Sequence, residues 1–500
     1  MDFILAIAPI LIVFVLLFVF KQTSLKAGMG AFLLAGGIAL FSSPFHLEWG
    51  QIAQASVKGA LVSFIAAYVL FFGILLFHLM KNIGAINQMA SFISRATNNQ
   101  IFRVIILVIG FSPLVESASG FGIAFMVVAP ILVELGFTPF KASLIGLVSL
   151  LAVPWGALAT GAVIGANLSG VPLENLGAGS AIISTPVFFY LLLISVFIAG
   201  GWQAVKENWK HVLIFSLLFA LSIYFFSAFV SVELAGVLSS LVTTGLGLFL
   251  IRFTKEVNKK DFVQISERAE ADSANILKAL SPYILLTFFI LLTRLIPGIR
   301  HLLTSYGVLD LPAFSFSLAL LYSPGFWLFI TCMITVATFK IQPSVVYQSW
   351  KSTVSQWIPF TITTTSYVAM SEVMSASGMI NFLSNSAGAA FGSSFIIISG
   401  LIAGMGGFLT GSNAGSNAMF IKLQVQTASN LGLNPDYFAF IQNTAASHST
   451  MASPSRVMLG ASIFNIQSEE GQLIKKMSAI AAGSLVIVIC VVYGWMMLEQ

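Results

Sequence analysis

Charge is what this 500-residue sequence has least of. Only 8% of its residues are Asp, Glu, Lys or Arg, against roughly 25% in soluble domains, which excludes a set of water-facing globules. Cysteine is limited to Cys332 and Cys490, each inside an apolar run, so they read as buried thiols rather than a disulfide framework. The five histidines, His46, His78, His211, His301 and His448, are scattered singly with no HExxH-type spacing. A metal centre, a nucleophile–base set and a cofactor-dependent enzyme therefore have little to build on, and the expectation is no enzyme and no metal. The net charge of +5 is too diffuse for a nucleic-acid partner. What fills the chain is apolar: 58% hydrophobic residues and a mean hydropathy of +0.96. The partner is a lipid bilayer.

A helix crossing ~30 Å of hydrocarbon needs about 20 apolar residues. Such runs occur at 3–20, 27–42, 57–80, 142–166, 181–201, 212–231, 234–251, 279–297, 313–339, 357–377, 436–464 and 478–498. They are continuous rather than alternating, which disfavours a strand barrel and predicts an all-α polytopic protein of about twelve crossings. The first run lacks a basic start and a small-residue cleavage site, so it does not read as a cleavable signal. Lys21 and Lys26 follow it, which puts the N-terminus outside by the positive-inside rule. Alternation from there leaves the C-terminus outside too. It also puts Lys81, Arg95, Arg103, Lys206, Lys210, Lys340, Lys351, Lys475 and Lys476 on the cytoplasmic side. The segment 252–278, with six basic and five acidic residues, reads as a cytoplasmic linker.

The chain also resembles itself. Gly84-Ala85-Ile86-Asn87 recurs as Gly378-Met379-Ile380-Asn381, and Leu135-Gly136-Phe137-Thr138-Pro139 as Leu431-Gly432-Leu433-Asn434-Pro435. Between the first and second motif of each copy lies a glycine-rich stretch. The 81–103 segment carries Lys81, Arg95 and Arg103, whereas positions 352–421 have no Lys or Arg. Two copies facing opposite sides of the membrane account for that asymmetry. The predicted organisation is a first repeat over 1–201 with a re-entrant hairpin at 104–140, and a connecting helical pair over 202–251. The linker 252–278 and an inverted second repeat over 279–500, with its hairpin at 400–434, complete it. Matched interruptions in inverted repeats are a transporter arrangement, with the binding site where they meet near the midplane. The plainer alternative is that glycine and serine simply let helices pack closely.

The first interruption reads Gly110-Phe111-Ser112-Pro113-Leu114-Val115-Glu116-Ser117-Ala118-Ser119-Gly120-Phe121-Gly122. Glu116 is then a carboxyl in an apolar environment. Desolvation penalises its charged form, so it is the candidate for proton coupling; the alternative is an acid held by backbone N–H groups to stabilise the hairpin. The second reads Phe408-Leu409-Thr410-Gly411-Ser412-Asn413-Ala414-Gly415-Ser416-Asn417-Ala418, rich in hydroxyls and amides at a helix start. It suits a small anion, or sodium held by carbonyl and amide oxygens. Ser117, Ser119, Gly120, Thr410, Gly411, Ser412, Asn413, Ser416, Asn417 and His448 are the expected substrate-binding residues. Asn443, Thr450 and Arg456, from a second pair of breaks at 152–156 and 443–456, are secondary. Arg456 pairs with a substrate carboxylate or else serves topology near the cytoplasmic end, and Glu372 reads as solvated near the outer surface.

At these motifs the chain resembles the L-lactate permease family of bacterial monocarboxylate transporters. Glu116-Ser117-Ala118-Ser119-Gly120-Phe121-Gly122 is close to that family's E-G-A-A-G-F-G, and Phe408 to Phe420 to its F-L-T-G-S-D-T-S-S-N-A-L-F. Gln424-Val425-Gln426-Thr427-Ala428, Met451-Ala452-Ser453-Pro454 and Gly201-Trp202-Gln203-Ala204-Val205-Lys206 fit further blocks. The resemblance implies uptake of lactate or glycolate in symport with protons across the bacterial inner membrane. Asn413 and Thr450 stand where the family usually has aspartate and lysine. The expectation is that those charges are coupled in relatives, because a lone buried charge would be costly.

Overall fold

The structure, a computed structural model, describes residues 1–498 except 96, 98, 121 and 252–258, and only the backbone course of 94, 95, 251 and 259–276. Helices dominate, as continuous apolar runs dictate: a spanning backbone must satisfy its own N–H and C=O groups. Side chains such as Leu221, Phe225, Phe229, Leu33 and Phe41 remain exposed on the outside of the bundle, where lipid rather than water completes their burial.

Nine helices are long and apolar enough to cross a membrane among the described residues, or ten if a bent pair counts as one span. This is not the twelve read from the runs, for identifiable reasons. Runs 181–201 and 212–231 belong to one 57-residue element, Leu173–Phe229, kinked at Gly201 (φ 71°). Run 313–339 opens as a two-stranded hairpin, Val308–Leu311 against Phe316–Ala319, and becomes helical only over Pro324–Thr338. Run 357–377 is the end of Pro343–Ala376, whose many Ser and Thr residues lower its hydropathy. The linker read over 252–278 falls partly on described residues. Its first seven residues lie outside the described residues, and from Lys259 the chain is already helix, continuous to Leu295.

One succession of elements occurs twice along the chain. Trp49–Asn82 and Pro343–Ala376 are both 34 residues long. Each is followed by a glycine turn and a shorter helix, Ala85–Arg95 and Met379–Phe391. A helical hairpin follows in each copy. The first runs from Gln100–Ser119 to Ile123–Glu134, the second from Phe395–Thr410 to Asn413–Asn430. Then comes a broken helix: Pro139–Val148 leading to Gly156–Ser169, bent by 61°, and Pro435–Ser449 leading to Pro454–Ile463. The two long helices pack against each other closely enough that a β-carbon on Gly59 would lie 2.6 Å from the Ala369 backbone. Small residues permit such approach where lipid offers no hydrophobic drive for helix association.

Candidate functional site

Each hairpin turns on a glycine. Gly120 has φ 63° and ψ −164°, and Gly411 has φ 61°, conformations that side-chain-bearing residues rarely adopt. Each tip rests on the break of its own repeat. A β-carbon on Gly120 would meet Ala157 at 2.5 Å, and one on Gly411 would meet Ser455 at 2.8 Å and Ser453 at 3.0 Å. At the first break, Ala157, Leu158 and Ala159 all have positive φ. Left-handed backbone at three consecutive non-glycine residues is strain of the kind found at functional sites.

Glu116 lies one turn before the first tip and is buried. Its Oε1 accepts the Gly122 N–H at 3.4 Å and lies 3.8 Å from an Arg456 guanidinium nitrogen. Its Oε2 has no hydrogen-bond partner. The same Arg456 nitrogen donates to the carbonyl of Gly411 at 3.4 Å, while the other terminal nitrogen is unpartnered. Arg456 is thus buried and meets groups at both tips. A lone ion inside would cost several kcal/mol, so the pair is held together by the absence of any better partner.

The second tip carries an uncharged network. Asn413 Nδ2 and Asn417 Nδ2 both donate to Asn443 Oδ1, at 2.8 and 2.9 Å. Asn417 Nδ2 also donates to the Gly161 carbonyl at 2.9 Å, and Asn443 Nδ2 to Ser180 Oγ at 2.9 Å. Gln442 Nε2 donates to Ser416 Oγ at 3.0 Å and Asn417 Oδ1 at 3.3 Å. Gln424 Nε2 donates to Gln442 Oε1 at 2.7 Å. These groups are all buried. They join the second hairpin to the first repeat's broken helix, whose Gly161 gives Asn413 its room. A β-carbon there would lie 2.3 Å from Asn413 Nδ2. Gly161→Ala is therefore expected to displace Asn413 from Asn443, costing about 1–3 kcal/mol from overpacking. Transport activity in vesicles should fall about 10-fold or more while a purified sample still unfolds cooperatively; unchanged transport would detach this contact from function.

Other expected site residues have structural duties. Ser119 Oγ donates to the Val115 carbonyl, Thr410 Oγ1 to the Gly406 and Ser412 carbonyls, and Ser412 Oγ accepts the Gly415 N–H as a helix cap. Ser117 Oγ is buried without a partner and points at Gly236 of the helix Val232–Ile251. His448 Nε2 meets Ser184 Oγ at 3.1 Å, with Phe188 against its ring. Thr450 Oγ1 donates to the Ser447 carbonyl, so Thr450 and Asn413 each bond elsewhere rather than to one another. Phe121 lies outside the described residues.

Sequence reasoning missed Gly161, Ser180 and Gln442, which no local motif distinguishes from packing residues, and met Gln424 only as part of a family block without a role. It also misread Glu372. That carboxylate is buried between Lys422 Nζ at 2.6 Å and Lys58 Nζ at 3.3 Å, tying the second hairpin to the two long helices. No group of three or more His, Cys, Asp or Glu that could hold a metal occurs among the described residues.

A family model described as L-lactate permease matches residues 2–320 and 311–498. A Streptococcus iniae protein named L-lactate permease is 30% identical over 457 residues, covering 87% of this chain and 93% of that one. A Halalkalibacterium halodurans protein of the same name is 24% identical over 508 residues, covering 97% and 94%. A solved structure of Neisseria gonorrhoeae MtrF, described as illuminating a class of antimetabolite efflux pumps, has a TM-score of 0.49 at 13% identity over 94% of each chain. That likeness is too loose to bear on fold or substrate.

Proposed function

This chain belongs to the L-lactate permease family, and from that premise we propose that it imports a small 2-hydroxy monocarboxylate, of the lactate or glycolate type, together with a proton. It is a carrier rather than an enzyme. It works by alternating access around the two hairpin tips, in a bacterial cytoplasmic membrane with both termini outside. The halves are the inverted repeats 1–201 and 279–500.

One observation carries the reading: a buried guanidinium lies between the tips, against a carboxylate whose second oxygen has no partner. A guanidinium is a planar fork matched to a carboxylate. An incoming monoanion takes Arg456, using the unpartnered nitrogen and displacing Glu116. The displaced carboxylate would then be a lone buried anion, which is untenable, so it takes a proton. Substrate and proton thus enter together because the site holds one negative partner for one arginine. The loaded and unloaded sites carry the same charge, and the coupled cycle moves none across the membrane.

Reconstituted vesicles test this. An inward pH gradient should drive labelled lactate uptake with all sodium replaced by choline, and the membrane potential should have little influence. Uptake that needs sodium at fixed pH would instead favour the oxygen-rich second tip as a sodium site, and would leave Glu116 structural.

A further inference from the structure

We propose that the side-chain carbonyl of Asn413 accepts the hydrogen of the substrate's 2-hydroxyl, and that it thereby selects hydroxy acids over oxo acids and unsubstituted acids. The inference rests on the monocarboxylate reading above and names the group that would give it specificity.

An amide's two ends are told apart only by the bonds around them, and here those bonds are anchored at backbone. The Gly161 carbonyl is an acceptor, so Asn417 must turn its NH2 there. That NH2 has a second hydrogen, which goes to Asn443 Oδ1. Asn443 therefore presents its oxygen there, and its own NH2 donates to Ser180 Oγ, a hydroxyl free to accept. The far end agrees: the Ser399 carbonyl accepts from Gln424 Nε2 at 3.1 Å, while Gln424 Oε1 accepts the Ser399 hydroxyl at 2.6 Å. With Asn443 presenting oxygen, Asn413 can only present nitrogen to it. Its Oδ1 is left over, buried and without a partner. A bare acceptor inside a protein is costly, and the network forbids the flip that would hide it.

The acceptor also follows closely on the second tip. Asn413 is two residues beyond Gly411, whose carbonyl meets the same guanidinium that would hold the carboxylate. A 2-hydroxyl lies one bond from the carbon bearing that carboxylate. Glu116 and Ser117 carry unpartnered oxygens at the first tip. Glu116, protonated in the loaded state, offers a donor, and Ser117 Oγ is aimed at Gly236. A 2-oxo group brings a second acceptor against Asn413 Oδ1, and an unsubstituted acid leaves it unmet. Sites that hydrogen-bond a substrate hydroxyl reject analogues lacking it far more strongly than apolar pockets reject small size differences.

The test is a competition series against labelled lactate in vesicles, using lactate, glycolate, pyruvate, propionate and 2-methoxypropionate. The last keeps the oxygen and removes only the donor hydrogen. Lactate and glycolate should compete about 10- to 100-fold better than the other three. In Asn413→Ala the preference for lactate over propionate should fall to within about 3-fold, with propionate's own inhibition constant little changed. Should that variant not assemble, the unaltered protein still decides, because 2-methoxypropionate isolates the donated hydrogen. Equal competition by all five, or a preference that survives Asn413→Ala, overturns the inference and leaves the monocarboxylate reading standing. No competition by any acid, lactate included, overturns the reading itself.

Discussion

Arg456→Gln abolishes substrate uptake, by about 100-fold or more, while the protein still inserts and folds. Truncating one partner of a buried, hydrogen-bonded charge pair commonly costs 2–5 kcal/mol, and here the lost partner is also the proposed substrate anchor. Glutamine removes the charge, one arm of the fork and the bridge to Gly411. Lysine at 456 restores charge without the planar fork, so Arg456→Lys should recover only part, staying about 10-fold below the parent. The double variant Glu116→Gln with Arg456→Gln separates stability from transport. It leaves no lone charge, so its thermal midpoint should return toward that of the parent, and its uptake should not. Saturation kinetics on vesicles check this. Unchanged lactate affinity in Arg456→Gln would remove the observation on which the functional proposal stands.

Glu116→Gln is the second large effect, and it is one of kind as well as size. In the parent the unloaded site holds one carboxylate and one guanidinium, and the loaded site holds a substrate anion, a proton and the same guanidinium. With glutamine at 116 the unloaded site is positive and the loaded site neutral, so net import carries a negative charge. Uptake should then ignore the pH gradient and become opposed by an inside-negative potential. That opposition is worth about 2.3 kcal/mol per 100 mV, or about 50-fold in accumulation. Exchange of internal for external substrate never requires the unloaded site to cross, so it should persist. Potassium-diffusion potentials imposed on vesicles distinguish the two regimes. Full pH-driven accumulation by Glu116→Gln would leave the carboxylate with only its structural bond to the Gly122 N–H.

Much of the architecture was legible because bilayer constraints act on composition and run length. The glycine tips and the helix breaks correspond to observed elements, since a helix interruption inside lipid needs residues of recognisable type. Crossing number was less legible. A run such as 313–339 is apolar whether it is helix throughout or begins as a hairpin, and Pro343–Ala376 hides its length behind inward hydroxyls. Glu372 illustrates the limit for charges. Nothing local distinguishes a solvated glutamate from one clamped by Lys58 and Lys422, which come from elements far apart in the chain.

From its order of residues alone, this protein had to be a multi-pass helical bundle with an acidic tip and an amide-rich one, because 8% charge cannot clothe anything else. Only the tertiary structure decided that Arg456 joins those tips, that Gly161 opposes Asn413, and which end of each amide is left free. The reason is physical. Apolar burial adds up along the chain and depends little on which neighbour supplies it, whereas a hydrogen bond or ion pair exists only between particular atoms a few ångströms apart.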